Sequence, residues 1–498
     1  MSFLSRPTTP VLATALALGL SPAAWAQSLP AKDAWEALNA FVEGTGGQLR
    51  ADAVVTEGAD IVARNAVLRS GDAPAAFTLN LGDVRVSPAG EGFDITPAPT
   101  FEAVLRDSTL GEVRSYSITH DGAFNLSLTE AQIGLGMAFG RLALAQTGAT
   151  RRGNALQENL TIDLTGFNGT TTLTLAPPFT LDGRLVADVL AYTIASTETE
   201  FMPMRQSGTS SSERVSLTFS ARGLELLDDS SGPGFIRRAF QAGFGAAVEL
   251  VSGPTQGSVE QDFDGQQLSM SLRGGDSVAR LTARNGVVAF ETTVDGYTVD
   301  AAVPGMASGT VSLAGLTLGL SLPVISTPTE EVFGLRFNLR DLAVSDGLLA
   351  PLGASSFAGD TATLDFDLQA RGRWLVEITD DPDPAEVPVD FGTITLANLL
   401  TRIGASSLTG SGSFTFAPNS FMRSPAPDGT GDFVFELVGG EALLNRLGAA
   451  GLLPPDQQFL ARMMMNGLGR PVGADHLRSE VAIRPGGAVT VNGAPLPF

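Results

Sequence analysis

Residues 262–303 read DFDGQQLSMSLRGGDSVARLTARNGVVAFETTVDGYTVDAAV. Four dipeptides punctuate this stretch at about ten-residue intervals: Asp264-Gly265, Gly274-Gly275, Asn285-Gly286 and Asp295-Gly296. Asn-Gly and Asp-Gly tolerate the positive φ angles of tight hairpin turns, whose twist matches that of antiparallel strands. The segments between them are rich in β-branched and alternating residues, Val287 to Val294 being the clearest. Together these features predict a β-meander.

The same signal recurs along the chain. Further pairs stand at Asp121-Gly122, Asn168-Gly169, Asp182-Gly183, Asp346-Gly347, Asp428-Gly429 and Asn492-Gly493. Within Thr363 to Arg371, Leu364, Phe366, Leu368 and Ala370 fall on one face, while Thr363, Asp365, Asp367, Gln369 and Arg371 fall on the other. A period of two is what a strand with one wet face requires, and a helix would mix the two sets. The expected fold is therefore mainly β, an elongated antiparallel β-meander or curled sheet.

Helical spacing is confined to three places. Ala31 to Glu43 carries Trp35, Leu38 and Val42, and Gly234 to Val251 carries Phe240, Phe244, Val248 and Val251. The third is a C-terminal pair, Glu441 to Ala449 and Gln457 to Leu468, divided by Gly451 and Pro454-Pro455. Pro, Gly, Ser and acid content marks linkers at Ser252–Ser258, Ser326–Glu331, Asp380–Pro388 and Ser424–Gly431. The expected organisation is an N-terminal β-rich half over 27–255, a meander over 256–432 and a C-terminal helical pair plus hairpin over 433–498, which one continuous architecture would accommodate equally well. Phe219-x-x-Arg222-x-Leu224-x-x-x-Asp228 shares its spacing with Phe337-x-x-Arg340-x-Leu342-x-x-x-Asp346, a faint internal echo that duplicated modules or ordinary strand patterning would both produce.

The first 26 residues hold one cation, Arg6, then the apolar run Val11 to Leu20, then Ala24-Trp25-Ala26. This is the layout of a cleaved secretory signal, too short in its apolar part to span a bilayer. The expectation is a mature chain from Gln27, exported to the periplasm without a transmembrane anchor, since no later segment is a long enough apolar run, and without a lipid anchor, since no Cys stands at the cleavage site.

Charge and composition exclude several function classes. The chain has 498 residues, 31 Lys+Arg against 53 Asp+Glu, a net charge of -22 and no Cys. Lys32 is the single lysine, and the only adjacent cations are Arg151-Arg152 and Arg237-Arg238. Nucleic acid is therefore not an expected partner, because binding its backbone needs clustered cations that release counterions. A P-loop would need Gly-Lys-Ser/Thr, and Gly134-x-Gly136-x-x-x-Gly140 has the wrong spacing for a dinucleotide loop, so those glycines read as close-packing or turn positions. There is no Gly-x-Ser-x-Gly, and a His-based triad could draw only on His120 or His476, both of which read as exposed turn residues. Two His and no Cys leave transition metals without their usual ligands. The acidic clusters Asp262-Phe263-Asp264-Gly265 and Asp380-Asp381-Pro382-Asp383 complete no calcium loop. No catalytic, cofactor or metal residue is assigned, and no cofactor is expected.

What remains is apolar surface. The chain has 28 Phe but 3 Tyr and 3 Trp, so nearly all of its aromatic volume lacks a polar handle, which suits a dry interior or an acyl chain. The stripe Phe459, Met463, Met464 and Leu468 likewise serves a core gap or a hydrophobic ligand.

The motifs Leu342-Ala343-Val344-Ser345-Asp346, Leu408 to Phe416, Leu437-Val438-Gly439-Gly440-Glu441-Ala442-Leu443-Leu444, Ala461-Arg462-Met463-Met464-Met465 and Val491-Asn492-Gly493 resemble those of the bacterial family of exported proteins called domain of unknown function 2125. The resemblance implies export and a β-rich body and brings no site residues with it. In general character the chain is also similar to the AsmA-like envelope proteins, which hold lipid in a long β-groove, although those usually keep a membrane anchor. The leading expectation is a non-enzymatic periplasmic protein that binds lipid or another hydrophobic envelope molecule in an apolar groove. The alternative is a structural or adaptor protein that pairs with another envelope protein through strand edges or its terminal helices. A carboxylate hydrolase of glycan is a third reading, which paired acids in a deep cleft would revive.

Overall fold

A computed structural model describes residues 35–36, 38–39, 42, 47–70, 75–90, 92–129, 131–174, 176–198, 204–223, 226, 235–263, 265–303, 307–375, 389–417 and 428–496. The signal segment, the linker at 380–388, the first half of the linker at 424–431 and the second acidic cluster lie outside them. The fold is mainly β, and the strand pairings within it are antiparallel. Two compact units divide the chain, the first comprising residues 1–197 and 218–229, the second 198–217 and 230–498.

In the first unit the N-terminal helical spacing is realised: Trp35, Leu38 and Val42 are helical. Trp35 and Val42 are buried with Leu49, Ile61, Ala63, Ala66, Val84, Val86 and Phe93, and Leu38 packs against this cluster. The helix supplies the second layer that an apolar sheet face needs.

In the second unit the region 262–303 departs from a simple meander. Asn285 and Gly286, at φ 53° and 76°, make the tight turn joining Ser277–Arg284 to Val287–Val303, with both central residues left-handed as expected. A turn at Gly265 likewise joins Thr255–Phe263 to Gln266–Gly274. The other two dipeptides do not reverse the chain. Gln266–Gly274 and Ser277–Arg284 do not pair with each other; they lie end to end along one partner, Val287–Val303. Gly274-Gly275 and Asp295-Gly296 face each other as kinks in two long strands. Gly275 N donates to Gly296 O at 2.9 Å, and Asp295 N donates to Asp276 O at 2.8 Å.

The kink continues into the neighbouring strands. Gly245–Ser252 and Thr255–Phe263 also run end to end, so the predicted linker 252–258 is a break at Gly253-Pro254. Beside it, Arg214 has φ 49° within Met204–Arg222, Gly253 N donates to Glu213 O at 2.7 Å, and Glu213 N donates to Pro254 O at 3.1 Å. On the other side Gly315 lies under the Arg340 guanidinium, and Asp341 has φ 50°. A crease thus crosses successive strands of the sheet. At the crease the apolar positions change parity, from Val288 and Phe290 before it to Tyr297 and Val299 after it.

The predicted helix over 234–251 is corrected. Phe235–Gln241 is helical, and Gly245–Ser252 is a strand. Gly243, at φ 102°, ends the helix, and Ala246 to Val251 then pair residue by residue with Ala283 to Val278. The helical spacing of Phe240, Phe244, Val248 and Val251 coincides with a period of two in Val248 and Leu250, and a waiting edge strand decides between them.

The C-terminal pair forms as Gly440–Ala449 and Pro455–Leu468. Asp475 caps the first of these from a distant turn, its carboxylate accepting from Glu441 N at 2.9 Å and Ala442 N at 3.1 Å. That satisfies two of the free amides that every helix start exposes and places a negative charge at the positive end of the dipole.

Candidate apolar binding face

The alternation seen at Thr363 to Arg371 extends across the second unit. Following the paired positions from strand to strand gives one row, Val248, Leu281, Phe290, Leu320, Leu335, Leu368, Leu396, Gly412, Phe433 and Val481. A second row beside it runs Leu250, Ala279, Thr292, Leu318, Phe337, Phe366, Leu399, Gly410, Phe435 and Ser479. Neither row contains a charged residue. With strands about 4.8 Å apart, each row spans roughly 43 Å.

The opposite face is its electrical complement. Glu249, Arg280, Glu291, Arg336 and Asp367 stand there on successive or nearby strands. The Glu249 carboxylate accepts from Arg280 Nε and holds that guanidinium's pKa above its usual value, chiefly through this hydrogen bond. Asn398 donates to Asp365 at 2.9 Å. Water solvates this side, so the apolar side is the one that gains from being covered.

Nothing among the described residues covers it fully. The buried hydrophobics of this unit are Ala239, Ala354, Val389, Phe416, Leu444 and Val491, and none belongs to the two rows. Leu281 is 47% exposed and Leu250 44%. At Thr363-Leu364 the order is inverted outright: Thr363 is buried, accepting from Arg402 Nη2 at 3.1 Å, while Leu364 is exposed. Toward the C-terminal edge, rings lie on glycines across the strand pairs. A Cβ at Gly410 would come within 2.5 Å of Phe435 Cδ1, and the Phe433 and Phe435 rings stack at 6.3 Å between centroids. Glycine at 410 and 412 is what lets those rings lie down along the face instead of standing on it.

The first unit carries a different feature that sequence reading missed. Glu112 is only 4% exposed and lies between two guanidiniums, Arg114 at 2.9 Å and Arg151 at 2.7 Å. Arg114 Nε also donates to Glu158 at 2.8 Å, and Gln146 donates to the same carboxylate at 3.1 Å. The signal was the Glu112-x-Arg114 spacing, which puts both side chains on one strand face. A shallow cavity of about 650 Å³ in this unit is bordered by Asp94, Asn125, Asn168, Thr170 and Arg184 over a floor that includes Gly136 and Gly169.

His120 is corrected from an exposed turn residue to a buried one. Its Nδ1 lies 3.0 Å from Gly122 O and its Nε2 2.9 Å from Ala98 O, with the Phe101 and Phe139 rings edge-on. It clips together two chain segments. His476 is likewise corrected from an exposed turn residue: it begins the strand His476–Arg484, half-buried, with Nε2 3.6 Å from Glu436. Gly134, Gly136 and Gly140 lie within the strand Gln132–Arg151, against Ser127, Asn125 and Asp121. Asp262 accepts from Gly265 N at 3.0 Å, so it serves the hairpin turn. No group of three or more metal-capable side chains occurs among the described residues.

No helix among the described residues is long and apolar enough to cross a membrane, which says nothing of strands. The chain matches no protein-family model, no curated protein and no solved structure, so the resemblance of its C-terminal motifs to an exported family rests on those motifs alone.

Proposed function

We propose that the chain is a non-enzymatic carrier of the cell envelope that lays lipid acyl chains, or another long apolar molecule, along the uncharged face of the second unit. The observation that carries this is the pair of rows from Val248 to Val481 and from Leu250 to Ser479, whose members are half-exposed to exposed and lack charge. An ordinary core would bury such residues, at about 25 cal/mol gained per Å² removed from water. Leaving a face of this breadth open gives up that gain, and a ligand recovers it. Phe, Leu and Val offer no directional hydrogen bond, so selection would be for chain length and flatness and not for a head group. The Phe433 and Phe435 rings supply a flat platform at one end.

The test is native mass spectrometry of the exported chain purified without detergent, with organic extraction of anything bound. An adduct of lipid mass is expected. A clean unliganded mass, together with no uptake when the chain is offered long-chain phospholipid, would overturn the proposal.

A further inference from the structure

We infer that the helical end of the second unit docks on an uncharged lipid bilayer. The helix Pro455–Leu468 divides sharply around its circumference. At about 100° per residue, Gln458, Arg462 and Met465 share the side facing the protein. Gln458 donates to Leu453 O at 2.9 Å, Arg462 Nε donates to Glu441 at 3.1 Å, and Met465 Cε lies 2.8 Å from where a Cβ of Gly440 would stand. The other side carries Phe459, Leu460, Met463 and Met464, exposed by 70%, 49%, 56% and 54%. Leu452, before the helix, and Leu352, in a short turn of the neighbouring helical segment, are 47% and 66% exposed. A Cβ at Gly353 would lie 3.0 Å from Ala450 O, which brings the Leu352 turn beside the end of the helix Gly440–Ala449. Of the stripe that sequence reading assigned to a core gap or a hydrophobic ligand, Phe459, Met463 and Met464 thus face outward and fill no core gap, while Leu468 is half-buried.

Three observations choose the occupant. The patch offers only Phe, Leu and Met side chains, none with an N–H or O–H to pair with the polar groups of a protein partner. Four of its side chains, Phe459, Leu460, Met463 and Met464, protrude from a single helix face, which is how an interfacial helix meets acyl chains, and its thioethers conform to a fluid surface. Charge sets the kind of lipid. Residues 440–475 carry Arg446, Arg462 and Arg470 against Glu441, Asp456 and Asp475, a balance of zero, and the Leu352 segment 346–360 adds only the anions Asp346 and Asp360. This end approaches a neutral surface without repulsion and has no cationic excess to seek an anionic one. The docking does not depend on what the sheet face holds.

Flotation of the full chain with phosphatidylcholine vesicles, at low and high salt, tests it. Binding is expected at both. Phe459→Gln combined with Met463→Gln should weaken partitioning roughly tenfold or more. Both side chains are mostly in water already, so the fold should persist by circular dichroism. Leu352→Gln, on a separate segment, should weaken binding more modestly and carries the test should the double variant misfold. The inference is overturned if phosphatidylcholine vesicles do not bind, if binding requires phosphatidylglycerol, or if neither variant weakens it. It is also overturned if the wild-type chain self-associates and the double variant does not, which would assign the patch to a second copy.

Discussion

Gly275 N donates to Gly296 O at 2.9 Å, tying the kinks of two long strands into a crease. A Cβ at Gly275 would overlap the Asp295 carbonyl oxygen, which is backbone and cannot rotate away. Gly275→Ala should therefore destabilise the chain by about 1–3 kcal/mol, as overpacking does. The check is a urea midpoint that falls with the slope unchanged. An unaltered midpoint would mean that the crease relaxes freely.

Leu320, near the middle of the first apolar row, is already 38% exposed. Leu320→Gln should cost less than about 1.5 kcal/mol of stability, because little burial is lost. Under the proposed function it should still reduce retained lipid severalfold, read by native mass spectrometry against the urea midpoint of the same sample. Undiminished retention would locate the ligand elsewhere.

In the first unit, Glu112 is the most enclosed charge in its network, between Arg114 and Arg151. Glu112→Ala removes the shared anion and leaves two partly enclosed guanidiniums facing each other. The expected loss is about 3 kcal/mol, the scale for breaking a buried pair from one side. Chemical denaturation measures it, and Arg151→Ala, which leaves Glu112 its Arg114 contact, should cost less.

Two exposed carboxyls give the acid response a direction. Asp83 is held below the ordinary carboxylate pKa chiefly by the Arg64 guanidinium, and Asp300 by the Thr310 hydroxyl. A depressed folded-state pKa stabilises above the unfolded value and loses that contribution as pH falls through the folded one. Stability should thus decline as pH drops below about 4, and Asp83→Asn and Asp300→Asn should each flatten that decline in urea midpoints measured across it. Parallel curves for variant and wild type would show that these groups do not contribute.

Much of this was legible because local chemistry and long-range structure agree. Asn285-Gly286 looked like a tight turn, and its angles of 53° and 76° make it one. The alternation of Leu364, Phe366 and Leu368 with Asp365 and Asp367 holds in the pairing with Leu339, Phe337 and Leu335. At Asp295-Gly296 the same dipeptide chemistry gave a kink. A left-handed glycine permits either a reversal or a bend, and the partner strand running past it decides which.

The sequence by itself determined a β-rich chain with one polar and one apolar face on strands such as Thr361–Trp374, because side-chain direction alternates with every residue whatever the partner. It also determined the C-terminal helical pair, because Gly451 and Pro454-Pro455 divide two stretches of helical spacing. Tertiary structure alone decided that Val248 and Leu250 join a strand, that Thr363 is covered while Leu364 is open, and that Phe459 and Met463 face outward. These outcomes depend on register and on which surfaces find a covering layer. Those are contacts between residues far apart in the chain, and no local pattern encodes them.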